Sequence, residues 1–321
     1  MSNEISRRNL LRFAALGAGV ASVGALSFAP GAQAKKKKSA TNPARGVKAY
    51  PFVCGILKTQ TQYMLKDTRV GTPMNIPVTF FVLRHGDEWI AFDTGNNAMC
   101  AKDPVGYWGE AVTGAYYPVM HDYEEFKVQL KKLGLSPQKL KAVVLSHGHL
   151  DHAGAIDNFT GMDVPIYLQA KEIETIKNAV ASGKKTAYIP DDFKVMSQLN
   201  IKPLNGIFDL FDDGTVIAFP TPGHTEGHQS LAVKTYDGKQ LVLCADAMYT
   251  MENMLDAIPP GLAWDVPRAV EALTIFKVLS MMGTEVVPSH DPEFWKAKKL
   301  APDLFAKAGY KDAILTAFAD V

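Results

Sequence analysis

The sequence predicts an α/β fold, because short apolar runs with the pattern of β-strands alternate along the chain with stretches of helical spacing. The chain has 321 residues, of which 47% are hydrophobic and 21% are charged. These values are ordinary for a globular protein, and the length suffices for a large hydrophobic core. No linker-like change in composition divides the chain after residue 46, so we predict a single domain over residues 47–321.

The first part of this domain is predicted to be mostly strands and loops. Residues 47–57 predict a first strand, and residues 78–92 predict a hairpin around a turn that contains Gly86. Between them, residues 58–77 are polar, which predicts a long loop. Residues 96–121 show little periodicity but many aromatic side chains, which indicates an ordered functional loop.

The rest of the domain alternates helices with strands. Helical spacing predicts helices over residues 123–133, 170–181 and 266–282. Apolar runs predict strands at residues 141–145, 164–168, 216–219, 229–235, 240–244 and 285–287. Polar motifs directly follow several of these strands, and the functional prediction rests on those motifs.

The first 34 residues have the features of an export signal. Residues 6–11 resemble the twin-arginine signal, residues 13–29 form an apolar run rich in Gly and Ala, and residues 32–34 form an A-x-A cleavage site. Glycines interrupt the apolar run, so we expect no permanent membrane span in the mature protein. Residues 35–46, which begin with four lysines, predict a linker. We therefore expect a periplasmic or secreted protein.

Charge and cysteine content argue against two classes of protein. The net charge is +1, and removal of residues 1–34, which carry three arginines and one glutamate, leaves about −1. Nucleic acid is therefore not expected as a partner. Cys54, Cys100 and Cys244 are widely spaced and odd in number, which excludes a fully paired disulfide framework and predicts free or buried thiols.

Four candidate metal ligands lie within the motif SHGHLDH, residues 146–152. They are His147, His149, Asp151 and His152, and they directly follow the predicted strand at residues 141–145. A strand that ends at such a turn can direct several side chains toward one point, as a metal site requires. The motif therefore predicts a metal site rather than a solvated turn rich in histidine.

Three later strands end in the same way and add His224, Asp246 and His290. Imidazole and carboxylate ligands suit zinc, and also iron, cobalt or manganese. One zinc ion with three histidines would leave the other ligands unexplained. We therefore predict two divalent metal ions, with Zn²⁺ as the first choice, and a bridging water that loses a proton near neutral pH and becomes a nucleophile.

The motif HxHxDH, followed by the distal His, Asp and His, resembles the metallo-β-lactamase superfamily over residues 47–310. The resemblance implies a hydrolase with an αββα sandwich and a site at one edge between two sheets. It also implies that Asp93, at the end of the predicted hairpin, has a structural role beside the ligands. The implied ligands are His147, His149 and His224 on one ion, Asp151, His152 and His290 on the other, and Asp246 as the bridge.

Within the superfamily, the chain is most similar to the N-acyl homoserine lactonases. The similarity is carried by the TPGHTEGHQSL run at residues 221–231, by Tyr249 three residues after Asp246, by SHD at residues 289–291, and by the hairpin that ends in FDTG. It implies that a hydroxide bridging two metal ions opens the lactone ring. Tyr249 would stabilise the oxyanion, and Asp151 would carry the proton to the leaving alkoxide.

Other activities stay open on the sequence alone. An organophosphate triesterase, or another ester or lactone hydrolase of the same superfamily, would use the same ligands. A β-lactamase fits less well, because its second metal ion does not usually use an aspartate at the place of Asp246. A periplasmic metal-binding protein without turnover is the alternative from another class, although structural zinc sites are closed by four ligands. The sequence does not fix the oligomeric state, and a homodimer is one option.

Some residues near these motifs can be interpreted in two ways. We expect His228 to be a core or supporting residue rather than a ligand, and His85 to be exposed in the hairpin turn. No role follows for His121. Residues 64–65 and the aromatic residues at 107–117 either line an acyl pocket or pack on one another.

Overall fold

The computed structural model describes residues 46–298, so the predicted signal peptide and nearly all of the predicted linker lie outside the described residues. Seven strands form the first sheet: β1 (Val47–Gln60), β2 (Pro73–His85), β3 (Glu88–Phe92), β4 (Tyr117–Val119), β5 (Ala142–Val144), β6 (Pro165–Gln169) and β7 (Asn200–Leu204). Their spatial order is β4-β1-β2-β3-β5-β6-β7. Strands β4, β1, β2 and β3 pair antiparallel, whereas β3, β5, β6 and β7 pair parallel. The parallel strands bring their carboxyl ends to one edge.

Five strands form the second sheet: β8 (Phe208–Asp209), β9 (Val216–Pro220), β10 (Gln229–Lys234), β11 (Gln240–Leu243) and β12 (Glu285–Val287). Their spatial order is β12-β11-β10-β9-β8. Strands β8 to β11 pair antiparallel in sequence order, and β12 joins β11 in parallel. Strands β9, β11 and β12 consequently end on the same side of this sheet, where their following turns can meet.

Alternating side chains of β2 show how the layers are arranged. Phe81 and Leu83 point into the layer between the two sheets, where they belong to the same cluster as Leu231 of the second sheet. Phe80 and Val82 point to the opposite face of the first sheet. Each fully buried side chain of this kind contributes about 1.5–3 kcal/mol. The two sheets therefore share one apolar interior.

Helices cover the outer faces of both sheets. They are α1 (Thr61–Met64), α2 (Pro104–Trp108), α3 (Glu110–Ala115), α4 (Phe126–Lys132), α5 (Ala170–Ser182), α6 (Met251–Leu255) and α7 (Val266–Met281). An eighth helix of the described residues, α8 (Pro292–Lys296), instead packs its Trp295 into the layer between the sheets. Phe126 of α4 and Ile176 of α5 pack on the first sheet, and Phe276 of α7 packs on the second. The layers follow the order αββα, which confirms the predicted fold. Among the described residues, no helix has the length and hydropathy needed to cross a bilayer.

The prediction of a long loop at residues 58–77 is wrong. β1 continues to Gln60, the short helix α1 follows, and β2 begins at Pro73. Thr59 pairs with Met74 and is buried, whereas Lys58 and Gln60 point to solvent. Because the outward-facing residues at the end of β1 are polar, the sequence did not indicate that β1 and β2 continue as paired strands through this segment.

The predicted loop at residues 96–121 is also wrong, because it contains α2, α3 and β4. The Asp103 side chain caps α2 by accepting from the Gly106 N–H, and Pro104 occupies the first turn. These are the usual signals for a helix start, but the helix has only five residues and shows no periodicity. Helices this short cannot be recognised from the spacing of hydrophobic residues, because they contain too few turns to show a period.

Gln229 joins the two sheets beneath the motif at residues 146–152. It is fully buried, and its Nε2 donates to the carbonyl oxygen of Leu145 at 2.8 Å. Its Oε1 accepts from Nε2 of Gln169 at 2.8 Å, and its backbone N–H donates to the carbonyl oxygen of Ser146. Because β10 belongs to the second sheet and the three partners lie on the first, this side chain fixes the relative position of the strand ends that carry the site.

Candidate metal centre

Seven buried side chains meet at one edge of the sandwich, where four strands end. The loop after β5 carries four of them, and the turns after β9, β11 and β12 carry one each: His147, His149, Asp151, His152, His224, Asp246 and His290. None is more than 8% exposed. The structure thus brings together every residue that the sequence predicted as a metal ligand.

Three histidine nitrogens and one carboxylate oxygen form the first group. His224 Nε2 lies 3.1 Å from His147 Nε2 and 2.8 Å from His149 Nδ1. Asp246 Oδ2 lies 3.4 Å from His224 Nε2 and 3.7 Å from His147 Nε2. Atoms that bind a tetrahedral zinc ion at about 2.0–2.1 Å lie roughly 3.3 Å from one another. The spacing of the first group therefore fits a single ion of that size.

Asp151, His152 and His290 form the second group, and the other carboxylate oxygen of Asp246 faces it. Asp246 Oδ1 lies 3.0 Å from His152 Nε2 and 3.1 Å from His290 Nε2. Asp151 Oδ2 lies 3.5 Å from His290 Nε2. Both groups have the composition and closeness of a metal-binding cluster. Because Asp246 directs one oxygen to each, the two groups could hold two ions that share this carboxylate.

Hydrogen bonds on the outer ring nitrogens determine which nitrogen faces the centre. Nδ1 of His224 lies 2.7 Å from the carbonyl oxygen of Leu262, and Nδ1 of His290 lies 2.8 Å from that of Pro77. A carbonyl oxygen can only accept, so Nδ1 carries a proton in both rings, and the neutral form of each ring directs the lone pair of Nε2 toward the centre. Burial and the neighbouring imidazoles hold the pKa of His147 well below its usual value, so this ring is neutral. The donor set therefore fits divalent metal ions.

Asp93 supports the motif from the end of β3, where the resemblance implied a structural aspartate. Its Oδ2 lies 2.8 Å from Nδ1 of His152 and accepts from Oγ of Ser146 at 2.8 Å. Its Oδ1 accepts from the Ser146 N–H at 2.6 Å. Asp93 and Ala245, which precedes Asp246, have φ of 62° and 46°. Left-handed backbone costs on the order of 1 kcal/mol for residues other than glycine, so the packing of the sheets imposes strain next to the ligands.

A cleft of about 330 Å³ opens onto the second group, and its lining includes Asp151, Asp246 and Tyr249. Tyr249 is 2% exposed, and its hydroxyl lies 3.2 Å from Nδ1 of His224. Burial and the carboxylate of Asp246 raise the pKa of Tyr249 well above its usual value, so the hydroxyl stays protonated at neutral pH. Because Nδ1 of His224 already carries a proton, the O–H of Tyr249 can donate into the cleft.

Residues 64–65 and the aromatic residues at 107–117 lie partly in the cleft and partly in the core. Met64 and Tyr116 line the cleft, together with other apolar side chains. Leu65 and Trp108 are buried in the apolar core on the outer face of the first sheet. Tyr107 donates its hydroxyl to Asp192 at 2.7 Å. Only part of the predicted hydrophobic set therefore contributes to a pocket. The three cysteines are buried free thiols, as predicted.

The remaining histidines do not join the two groups. His228 is buried and its Nδ1 lies 2.9 Å from Oγ1 of Thr221, which agrees with a supporting role. The prediction that His85 is exposed is wrong, because its ring stacks on Phe211 and its Nε2 lies 2.8 Å from Oδ2 of Asp213. These contacts join β2 to the loop before β9, so His85 stabilises the packing of the two sheets.

Glu172 on α5 is a supporting residue that the sequence did not single out. The side chain is fully buried, and its Oε1 accepts from the Gly148 N–H at 2.9 Å and from the Tyr188 hydroxyl at 2.8 Å. Its Oε2 accepts from Oγ1 of Thr225 at 2.6 Å. Burial raises the pKa of Glu172, and the hydrogen bonds oppose that shift. One carboxylate thus holds the two loops that carry the three histidines of the first group.

Close packing against α5 and α7 explains two glycines in the loop after β9. A Cβ on Gly227 would lie 2.1 Å from the backbone nitrogen of Glu172. Gly223 has φ of 146°, and a Cβ there would lie 2.4 Å from the backbone nitrogen of Ala269. The loop can therefore approach α5 and α7 only without side chains at these positions. This contact places His224 against the first group.

The layered sheets and the two groups of ligands at their edge are those of a metal-dependent hydrolase. A family model described as the metallo-beta-lactamase superfamily matches residues 75–290, well over half of the chain. The chain therefore belongs to the metallo-β-lactamase superfamily.

Several relatives of this chain are named as one kind of enzyme within the superfamily. The chain is 32% identical over 263 residues to a protein of Azorhizobium caulinodans named N-acyl homoserine lactonase AttM, covering 81% of this chain and 98% of the relative. It is 30% identical over 239 residues to N-acyl homoserine lactonase AiiA of Bacillus thuringiensis subsp. kurstaki, covering 73% and 88% of the two chains. A solved structure of an N-acyl homoserine lactone hydrolase, with the product N-hexanoyl-L-homoserine at its catalytic metal centre, superimposes with a TM-score of 0.71 at 27% identity. It covers 79% of this chain and 97% of the other.

Replacement of Glu172 by Gln should lower the free energy of unfolding by roughly 2–3 kcal/mol, because an amide NH₂ would face hydrogen-bond donors in a buried position. Urea denaturation under identical metal supplementation measures the change. Glu174→Gln on the same helix is the control; its side chain is 64% exposed and pairs with Lys171, so a change within about 0.5 kcal/mol is expected. Equal stability of the wild type and the Glu172 variant would contradict this role.

Proposed function

We propose that this chain is an N-acyl homoserine lactonase that uses two divalent metal ions. The observation that carries the proposal is the Asp246 carboxylate, which faces two groups of ligands at the base of a cleft that also contains Tyr249 and apolar side chains. Relatives with that name, at 30% identity or more, support the same substrate class. A metal-storage role is disfavoured, because the cleft gives a small molecule access to the ligands.

The metal ions would be held by His147, His149 and His224 on one side, by Asp151, His152 and His290 on the other, and by Asp246 between them. We propose Zn²⁺ as the resident ion, because five imidazoles with short nitrogen spacings suit it. When bound, two such ions supply positive charge that lowers the pKa of a water molecule and polarises a carbonyl group.

The side chains of the cleft then have separate tasks. The Tyr249 hydroxyl donates a hydrogen bond to the carbonyl oxygen as negative charge develops on it. A water molecule attacks the carbonyl carbon, and Asp151, which lines the cleft, carries the proton that this water loses to the ring oxygen when the ester bond breaks. Apolar side chains, including Leu57, Met64 and Ile76, exclude water from the acyl side. The product is the open N-acyl homoserine.

The wild-type protein tests this proposal directly. We expect about two metal ions per chain by elemental analysis. We also expect hydrolysis of N-acyl homoserine lactones to exceed that of an aryl phosphotriester and of a cephalosporin in a pH-indicator assay. Fast triester cleavage with negligible lactone turnover would point to the organophosphate hydrolase instead. Full metal loading without turnover of any ester would favour a binding protein.

Tyr249→Phe should lower kcat for lactone hydrolysis on the order of 10²-fold, because the variant loses a donor that acts mainly in the transition state. Its metal content should not change, since the variant keeps all seven His and Asp side chains of the two groups. Tyr236→Phe is the matched control; Tyr236 is 61% exposed in the turn between β10 and β11. Unchanged kcat in the Tyr249 variant would remove this residue from the mechanism.

We further propose that the protein is exported by the twin-arginine route to the periplasm or beyond. The support is the sequence of residues 6–11, the apolar run at residues 13–29 and the cleavage site at residues 32–34. A chain in which both Arg7 and Arg8 are replaced by Lys should accumulate in the cytoplasm, uncleaved, with normal activity in lysates. Fractionation with antibody detection measures this. Equal export of the variant would refute the route.

A further inference from the structure

Tyr116 presents a buried hydroxyl to the same cleft as Tyr249. The residue lines the cleft, and its oxygen is shielded from solvent. Within residues 46–298, no atom accepts a hydrogen bond from this hydroxyl or donates one to it. A phenol needs a partner when it is buried, so its position suggests a bound molecule as the partner.

The surroundings of Tyr116 change from polar to apolar across its ring. Tyr116 lines the cleft together with Asp151 and Asp246 of the metal-binding groups. Burial raises the pKa of its hydroxyl, and these two carboxylates raise it further. The ring also packs against Tyr63 with centroids 5.3 Å apart, and the neighbouring Met64 lines the cleft. Tyr116 therefore stands between the ligands and the apolar wall.

The backbone around Tyr116 is held on both sides. Its N–H donates to the carbonyl oxygen of Val112 at the end of α3, and the carbonyl oxygen of Ala115 accepts from Oγ1 of Thr59. Tyr117 pairs with Lys58 in the first sheet. The ring is therefore presented by a fixed segment, as a specific contact with a ligand requires.

The order of groups in the substrate matches the order of groups in the cleft. An N-acyl homoserine lactone has a reacting ring at one end, an apolar chain at the other, and an amide between them. Tyr249 is assigned to the carbonyl oxygen of the lactone ring. The amide carbonyl oxygen, which lies between the ring and the acyl chain, is then the hydrogen-bond acceptor that still needs a donor. We propose that the Tyr116 hydroxyl donates a hydrogen bond to the amide carbonyl oxygen and thereby selects N-acylated lactones over plain lactones. This assignment rests on the proposed lactonase function.

The test compares two substrates in wild type and Tyr116→Phe. One is N-hexanoyl homoserine lactone, and the other is a γ-alkyl butyrolactone of similar length without the amide. The variant should raise KM for the N-acyl substrate roughly tenfold, because a net hydrogen bond is lost equally in the ground and transition states. Its kcat should stay within about twofold. Both constants for the plain lactone should be unchanged.

Thermal unfolding separates this role from a structural one. Because the hydroxyl has no partner within the described chain, Tyr116→Phe should keep or raise the Tm. Tyr117→Phe is the matched control in the same segment; Tyr117 is 43% exposed, and both substrates and the Tm should be unaffected.

Three outcomes would overturn the assignment. They are unchanged kinetics on the N-acyl substrate, an equal loss on both lactones, and a clear fall in Tm with the loss of activity. Failure of the wild type to hydrolyse any lactone is a separate result. It would reject the proposed function, and this assignment with it.

Discussion

The carboxylate of Asp246 is only 3% exposed, yet four histidine nitrogens surround it at 3.0–3.7 Å. A buried carboxylate is costly unless opposite charge and hydrogen bonds compensate it. His152 and His290 hold its pKa well below the usual value despite burial, and Ser289 Oγ donates to it at 2.8 Å. The negative charge of this carboxylate is also the charge that two divalent cations would neutralise. The arrangement of the surrounding strands serves to hold this group in place.

Holding Asp246 among its partners requires four strand ends from two sheets to stay in register, and buried polar side chains provide that register. Gln229 ties the second sheet to the backbone at Leu145 and Ser146. Glu172 ties together the two loops that supply the histidines of the first group. Each of these groups has its hydrogen bonds filled by the protein. Apolar packing alone would allow the sheets to slide, because it is not directional.

The sequence predicted the ligands better than the scaffold because the ligands have a local signature and the scaffold does not. Four ligands lie within residues 147–152, and the layer order came from the family that this spacing indicates. The long hairpin of β1 and β2 and the short capped helices after residue 96 lacked hydrophobic periodicity and were missed. Glu172 lies in an ordinary amphipathic helix, and its partners Gly148 and Thr225 are 24 and 53 residues away. A contact over that distance leaves no pattern in one sequence.

Glu172 and Tyr116 differ in whether the protein satisfies their hydrogen bonds. Glu172 is fully buried and accepts hydrogen bonds from three donors of the protein, so no other molecule reaches it. The hydroxyl of Tyr116 is buried equally well but has no partner within the described chain. Folding gains nothing from that hydroxyl, since phenylalanine would fill the same space without the cost of burying an unpaired donor. A buried hydroxyl without a partner in the protein is expected where a residue serves binding rather than stability. The part of the cleft wall that Tyr116 forms is therefore where we expect a polar group of the substrate to bind.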